Sequence, residues 1–244
     1  MSSEARVVLV TGGAVRLGRA VVEGFAARGW RVAFTYRGSG RQAADLEAAL
    51  RASSTDAVAY GLDLQDREAR SGLPLRIRDR FGRLDAVVNN AAVFPRTPVE
   101  GLTEDTFRAV LATNLEAPVF LTLGCAAMLR ESRGAVVNIA DIYGIHPLRD
   151  HLAYSISKAG LIAATRALAV ELAPEARVNA VAPGIALFPE GYPEDVRARL
   201  LAKTLLAREG GADEIAAAVV YLVESTTTMT GQLLVLDGGR TVAL

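Results

Sequence analysis

The sequence has little cysteine, histidine or lysine. It holds one cysteine, Cys125, two histidines, His146 and His151, and among 27 basic residues only two lysines, Lys158 and Lys203. A single cysteine excludes an intramolecular disulfide. Its apolar, helix-like surroundings mark it as a buried inert thiol suited to a reducing cytosol. The histidines have no third ligand at suitable spacing and no HExxH pattern, so no metal site is expected and both read as residues of a loop rim. The 27 basic residues are balanced by 27 acidic ones, which excludes a global field favouring nucleic acid or an anionic membrane. No uninterrupted apolar run reaches the ~18 residues of a membrane span. The opening "MSSEAR" carries no long apolar segment, and the expectation is a cytoplasmic chain.

What is present is alternation. Short β-branched runs precede longer stretches of helical period: "RVVLV" then 17–29, "RVAFTY" then 41–52, "AVAYGL" then 66–81, "LDAVVNN" then 104–131, "GAVVNIA" then 153–173, "ARVNAVAP" then 211–224, and last "QLLVLDGG". Parallel pairing needs crossovers, and right-handed crossovers put helices outside the sheet. The pattern therefore predicts an α/β, Rossmann-type doubly wound parallel sheet of seven strands with helices on both faces, as a single domain over 1–244. Ligands should bind beyond the carboxyl ends of the strands. Residues 184–210, with Pro189 and Pro193, read as a substrate flap containing a short helix, and Pro74 predicts a kink or break in the third helix.

Two stretches carry chemistry. In "TGGAVRLGRA", Gly12 and Gly18 flank a strand-to-helix turn whose amides can meet a pyrophosphate, but Arg16 stands where a third glycine would let the backbone approach freely. In "YSISK", Tyr154 and Lys158 fall four residues apart, on one face of a helix. A phenol with a pKa near 10 is a poor acid or base at neutral pH, and a neighbouring ammonium favours its phenolate. In a chain that otherwise uses arginine, a lysine at that place is not casual.

With these pieces the chain resembles the short-chain dehydrogenase/reductase family over nearly its whole length. The resemblance rests on "TGGAVRLG", Asp63 in "GLDL", "NNAA" at 89–92, Asn114 in "TNLEAP", "YSISK", "APG" at 182–184 and "LDGG" at 236–239. It implies a nicotinamide cofactor held by Gly12, Arg16, Leu17, Gly18, Tyr36, Arg37, Ser39, Asp63, Leu64, Asn90, Ala91, Tyr154, Lys158, Pro183, Gly184 and Ile185, with Asp63 at the adenine edge. It also implies Tyr154 as proton donor, Lys158 lowering its pKa, and Asn114 anchoring a water in the proton relay. Homotetramers through the helices at 104–131 and 153–173 are the family's common assembly.

Two departures sharpen the reading. The family's serine thirteen positions before the tyrosine is here Asp141, and the second turn glycine is Arg16. Together with Phe94, they resemble the pteridine reductase subgroup, which implies a substrate site of Arg16, Phe94, Asp141 and Tyr154; Leu187, in the flap, is expected to line its apolar wall. Ala92 stands where members of that subgroup carry a serine, and Arg240 follows "LDGG" too directly to match their C-terminal arginine that reaches a neighbouring subunit. An ionised carboxylate is acceptor-only, so Asp141 suits a heterocycle with N–H donors better than a ketone, and a flat ring stacks on Phe94. At the end of the second strand, "FTYRGSG" has no acidic residue for a ribose 2′-hydroxyl, while Arg37 and Ser39 suit a 2′-phosphate, so NADPH is expected over NADH. The function expected is NADPH-dependent reduction of a C=N bond in a pterin or dihydrofolate-like ring. The alternatives are a reductase of a 3-oxoacyl thioester or other small carbonyl, and a non-catalytic NADP(H)-sensing protein.

Overall fold

A computed structural model describes residues 5–188 and 191–243. Seven strands form one parallel sheet: β1 (Val7–Val10), β2 (Arg31–Tyr36), β3 (Ala57–Gly61), β4 (Ala86–Asn89), β5 (Ala135–Ile139), β6 (Arg177–Pro183) and β7 (Leu233–Leu236). They lie in the order β3-β2-β1-β4-β5-β6-β7. The order reverses direction after β3, so the crevice between the loops following β1 and β4 is where a ligand is expected.

Strand alternation explains the two cores. Val8, Val10, Val32 and Phe34 face one way, onto α1 (Arg16–Ala26), α2 (Gly40–Ala52) and α8 (Ala212–Glu224). Val7, Leu9 and Ala33 face the other way, onto α3 (Arg67–Phe81), α5 (Ala117–Ser132) and α6 (Leu152–Leu172). Cys125 is buried in this second core, where burial pushes its thiol up to about 12.

Two expectations about helices are corrected. Of the kink or break expected at Pro74, the break is absent: α3 runs unbroken from Arg67 to Phe81 with Pro74 buried inside it, at the point where α5 presents the bare backbone of Gly124. The stretch expected as one helix over 104–131 is α4 (Glu104–Leu111), a π-helical turn (Ala112–Glu116) and then α5. By length and composition that stretch, Glu104–Ser132, would pass for a membrane span, since an 18-residue window of it has a mean hydropathy of 1.4, but half of that window is buried against the rest of the protein. The expected flap contains the short helix α7 (Glu194–Leu201), and its Pro189 and Glu190 lie outside the described residues.

Candidate active site

The turn after β1 is closed tightly onto β2. Gly12 has φ 63°, its amide donates to Thr35 Oγ1 (3.1 Å), and the Gly13 amide donates to the Thr35 carbonyl (2.9 Å). A Cβ on Gly18 would come within 2.1 Å of the Gly12 carbonyl oxygen, so only glycine closes this turn. Helix α1 starts without a side-chain cap, which leaves first-turn amides to meet a phosphate. Asn90 ties the loop after β4 to the turn, its Nδ2 donating to the carbonyls of Thr11 (2.9 Å) and Gly12 (3.1 Å).

Arg16 is the first residue of α1 and holds φ 52°, the left-handed conformation that a glycine would take at no cost. Its Nη2 donates to the Leu187 carbonyl at 3.1 Å, so the turn reaches directly to the flap.

Gly12, Arg16, Leu17, Gly18, Tyr36, Arg37, Ser39, Asp63, Leu64, Asn90 and Ala91 line one cleft of about 380 Å³. The sequence reading missed Val15, Thr35, Leu62, Ala92, Val93 and Thr113, which line it too. Pro183, Gly184 and Ile185 do not line this cleft; Ile185 borders a separate cavity beside β7. Arg37 is already paired with Asp63 (Nη1 to Oδ2, 3.3 Å), and both side chains are about half exposed, so the pair is weak and open to competition from a dianion.

Beyond the cleft stand the reactive groups. Asp141, just after β5, accepts from the Tyr143 amide at Oδ1 and from the Tyr154 hydroxyl at Oδ2, each at 2.8 Å. One turn along α6 from Tyr154, Lys158 donates from Nζ to the Ile139 carbonyl (2.6 Å) and lies 5.7 Å from the Tyr154 ring centroid. Burial draws the Lys158 ammonium down to about 8. Burial also raises Asp141, against the pull of hydrogen bonds from Tyr143 and Tyr154 and of the Lys158 charge. The expected lowering of Tyr154 by Lys158 is reversed here: burial first, then the Asp141 charge and hydrogen bond, hold the phenol well above its usual 10.

Asn114 is placed by the π-helical turn. Its Oδ1 accepts from the Val93 amide (2.9 Å), and its Nδ2 donates to the Val93 carbonyl (2.9 Å) and Ser157 Oγ (3.1 Å). Phe94, next to Val93, is 52% exposed and meets Tyr154 edge-on at 4.5 Å. His146 is exposed at the rim, as expected, whereas His151 stacks on Phe94 at 4.4 Å. Tyr143 lies nearly parallel to Phe94, 11° apart with centroids at 6.5 Å. Its only signal in the sequence is an aromatic residue two places after Asp141.

Residues 13–241 match the family model described as enoyl-(acyl carrier protein) reductase, a model of the short-chain dehydrogenases/reductases. The chain belongs to the short-chain dehydrogenase/reductase family. Among this family's members, a putative ketoacyl reductase 2 of the granaticin polyketide synthase from Streptomyces violaceoruber is 34% identical, over 97% of this chain and 96% of that one. The 3-oxoacyl-[acyl-carrier-protein] reductase FabG of Thermotoga maritima is 31% identical over 99% of this chain and all of its own. In structure the chain is similar to FolM alternative dihydrofolate reductase 1 from Brucella canis complexed with NADP. The TM-score is 0.90 at 35% identity, over 98% of this chain and 95% of that one. An oxidoreductase of this family, with its seven-stranded parallel sheet, is what these likenesses have in common.

Proposed function

We propose that this short-chain reductase uses NADPH to reduce a C=N bond of a pterin or dihydrofolate-like heterocycle. The observation that carries the reading is the Asp141–Tyr154 hydrogen bond of 2.8 Å beside an exposed Phe94. The likeness to the Brucella FolM structure with NADP supports it.

The residues fit the cofactor. The bare turn of Gly12 and Gly18 and the uncapped start of α1 would take the pyrophosphate, and Arg37 with Ser39 the 2′-phosphate. Lys158 and Tyr154 would take the nicotinamide ribose. When bound, the reduced nicotinamide supplies the hydride.

The chain's own part is the proton. Reducing C=N puts hydride on carbon and a proton on nitrogen, and a phenol held well above 10 gives up its proton poorly by itself. Asp141, raised by burial, is the better acid of the pair, and Tyr154 relays through the hydrogen bond between them. Because the two groups share one site, they titrate as a pair. Lys158 limits how far Asp141 rises, and Asn114 holds Val93 and so the Phe94 side of the site. Phe94 offers a flat ring an apolar surface, and Arg16 offers donors to its carbonyl and ring nitrogen.

Reduction of a 3-oxoacyl thioester is the second reading, supported by the identity to the Streptomyces and Thermotoga enzymes. Against it, the Tyr154 proton is directed at Asp141 rather than free for a ketone oxygen. The test is NADPH oxidation with dihydrobiopterin, dihydrofolate and an acetoacetyl thioester in parallel, repeated with NADH. Turnover of the thioester alone, or equal use of the two cofactors, overturns the proposal.

A further inference from the structure

Arg37 directly follows β2 and Asp63 lies just past the end of β3, two strands paired so that Tyr36 stands opposite Gly61. Both line the cleft beside Ser39, and Arg37 Nη1 lies 3.3 Å from Asp63 Oδ2. Asp63 is the anchored partner. Its Oδ1 accepts from the Gln65 amide (3.0 Å) and its carbonyl from the Asp66 amide (3.1 Å), while Gln65 Nε2 donates to Thr113 Oγ1 (2.9 Å) in the wall of the same cleft. Arg37 stands before Gly38, whose φ of 80° turns the chain toward α2, and Asp63 is the one carboxylate it pairs with among the described residues. The cation expected to meet a 2′-phosphate is thus already shared with a fixed anion.

Sharing of this kind can act in two directions. A fixed carboxylate can pre-orient the guanidinium and so help a phosphate, or neutralise the guanidinium and oppose the phosphate. The geometry decides between them. A single contact at 3.3 Å between side chains 54% and 45% exposed holds a long arginine loosely, so little orientation is gained. Charge needs no such alignment: any phosphate bonded by the same guanidinium comes within the ~8 Å over which charges act at physiological salt, and at neutral pH it carries about two negative charges. NADH brings only hydroxyls to that place and is indifferent to the charge. We propose that Asp63 is a specificity-determining residue, which limits the preference for NADPH over NADH by holding the guanidinium of Arg37 in a pair. The inference rests on Arg37 as the partner of the 2′-phosphate and does not depend on which substrate is reduced.

The test is to titrate NADPH and NADH into the free protein, following the fluorescence of the reduced nicotinamide, and to read the ratio of the two Kd values. Any contact to the adenine end that both cofactors lose cancels in that ratio. Asp63→Asn removes the charge and keeps an oxygen for the Gln65 amide, and it is expected to raise the preference for NADPH about fivefold. Asp63→Ser removes the same charge and also keeps an oxygen, so it must move the ratio the same way and guards against a local distortion in one variant. Arg37→Met should lower the preference about tenfold. In that background Asp63→Asn should change it by less than about twofold, because the two residues act as a pair. A ratio unchanged or lowered by Asp63→Asn overturns the inference, the lowered one by showing that the carboxylate orients the arginine rather than restrains it. An equal rise without Arg37 overturns it too, since Asp63 would then be a distant charge and not a partner. An unchanged ratio in Arg37→Met alone fails differently: it moves the 2′-phosphate away from both residues and overturns the reading of Arg37 along with this one.

Discussion

A lysine that is 2% exposed has given up its hydration, and the single carbonyl held by Lys158 Nζ does not replace it. Its pKa falls from 10.5 to about 8, so protonating it costs more in the folded chain than in the unfolded one. The penalty is absent above the unfolded value, grows as pH falls, and is complete below the folded value, where it reaches on the order of 3 kcal/mol. Lys158→Met is therefore expected to raise Tm at pH 7, to lose that gain near pH 10.5, and to lose turnover at every pH. A variant less stable than its parent at pH 7 would mean that the Ile139 hydrogen bond outweighs the burial. Asp141 carries the opposite sign. Its folded pKa is raised by burial, so the stability its neutral form contributes is present below the unfolded 3.8 and is lost as pH rises through the folded value. Turnover should fall over the same rise if the neutral acid feeds the proton, and Asp141→Asn should flatten both profiles. A pH–rate profile unchanged in Asp141→Asn would remove the residue from proton delivery. Lysine's scarcity made Lys158 legible in the sequence, and the position thirteen before Tyr154 made Asp141 so. Tyr143 was not, because no spacing rule links it to Phe94, which its ring meets only when the loops after β4 and β5 come together.

At the scale of elements, strand and helix order could be read because period-2 and period-3.6 burial leave compositional marks. The π-helical turn at Ala112–Glu116 left none, since one widened turn does not interrupt an apolar stretch. Its effect is positional: Asn114 is buried and clasps both backbone groups of Val93. Asn114→Ala would leave that amide and carbonyl unpaired, a cost of about 1–3 kcal/mol for each group that stays dry. It should lower Tm and raise substrate KM through the freed Phe94, and a Tm drop with KM unmoved would confine Asn114 to a structural part. The conformation of Arg16 was likewise invisible, because arginine carries no preference for φ 52°. Arg16→Gly should ease the backbone by about 1 kcal/mol while releasing the flap at Leu187. Titrating NADPH into the free protein and then a pterin into the complex should show NADPH affinity kept and pterin affinity lost, with Arg16→Lys no better for the pterin. Unchanged pterin affinity in Arg16→Gly would take the arginine out of the substrate site.

For the whole molecule, α6 is apolar on both sides. Its inner face buries Leu161, Ile162, Leu168 and Leu172 together with the site's Tyr154, Ser157 and Lys158, whereas a helix on a monomer's surface turns a polar face to water. Its outer face exposes Leu152, Ile156, Ala159, Ala163, Ala167 and Val170, a stripe at helical spacing with Arg166 and Glu171 the charges beside them. On α5, Phe120 and Leu123 are exposed in the same manner. Apolar stripes of this extent mark a surface that another protein covers, and small alanines let a second helix approach closely. This supports the homotetramer expected from the family resemblance, with copies of this chain meeting across α5 and α6. Ala163 is exposed in the single chain, so Ala163→Glu should leave its fold, and hence its circular dichroism, unchanged. Between packed helices the same carboxylate would be desolvated without a partner, and the contact should fail. Light scattering on the eluting protein should give about four times 25.8 kDa for the unmodified chain and a smaller mass for the variant. A single-chain mass for the unmodified protein, or an unchanged assembly in Ala163→Glu, would mean that this face of α6 meets water or a different partner.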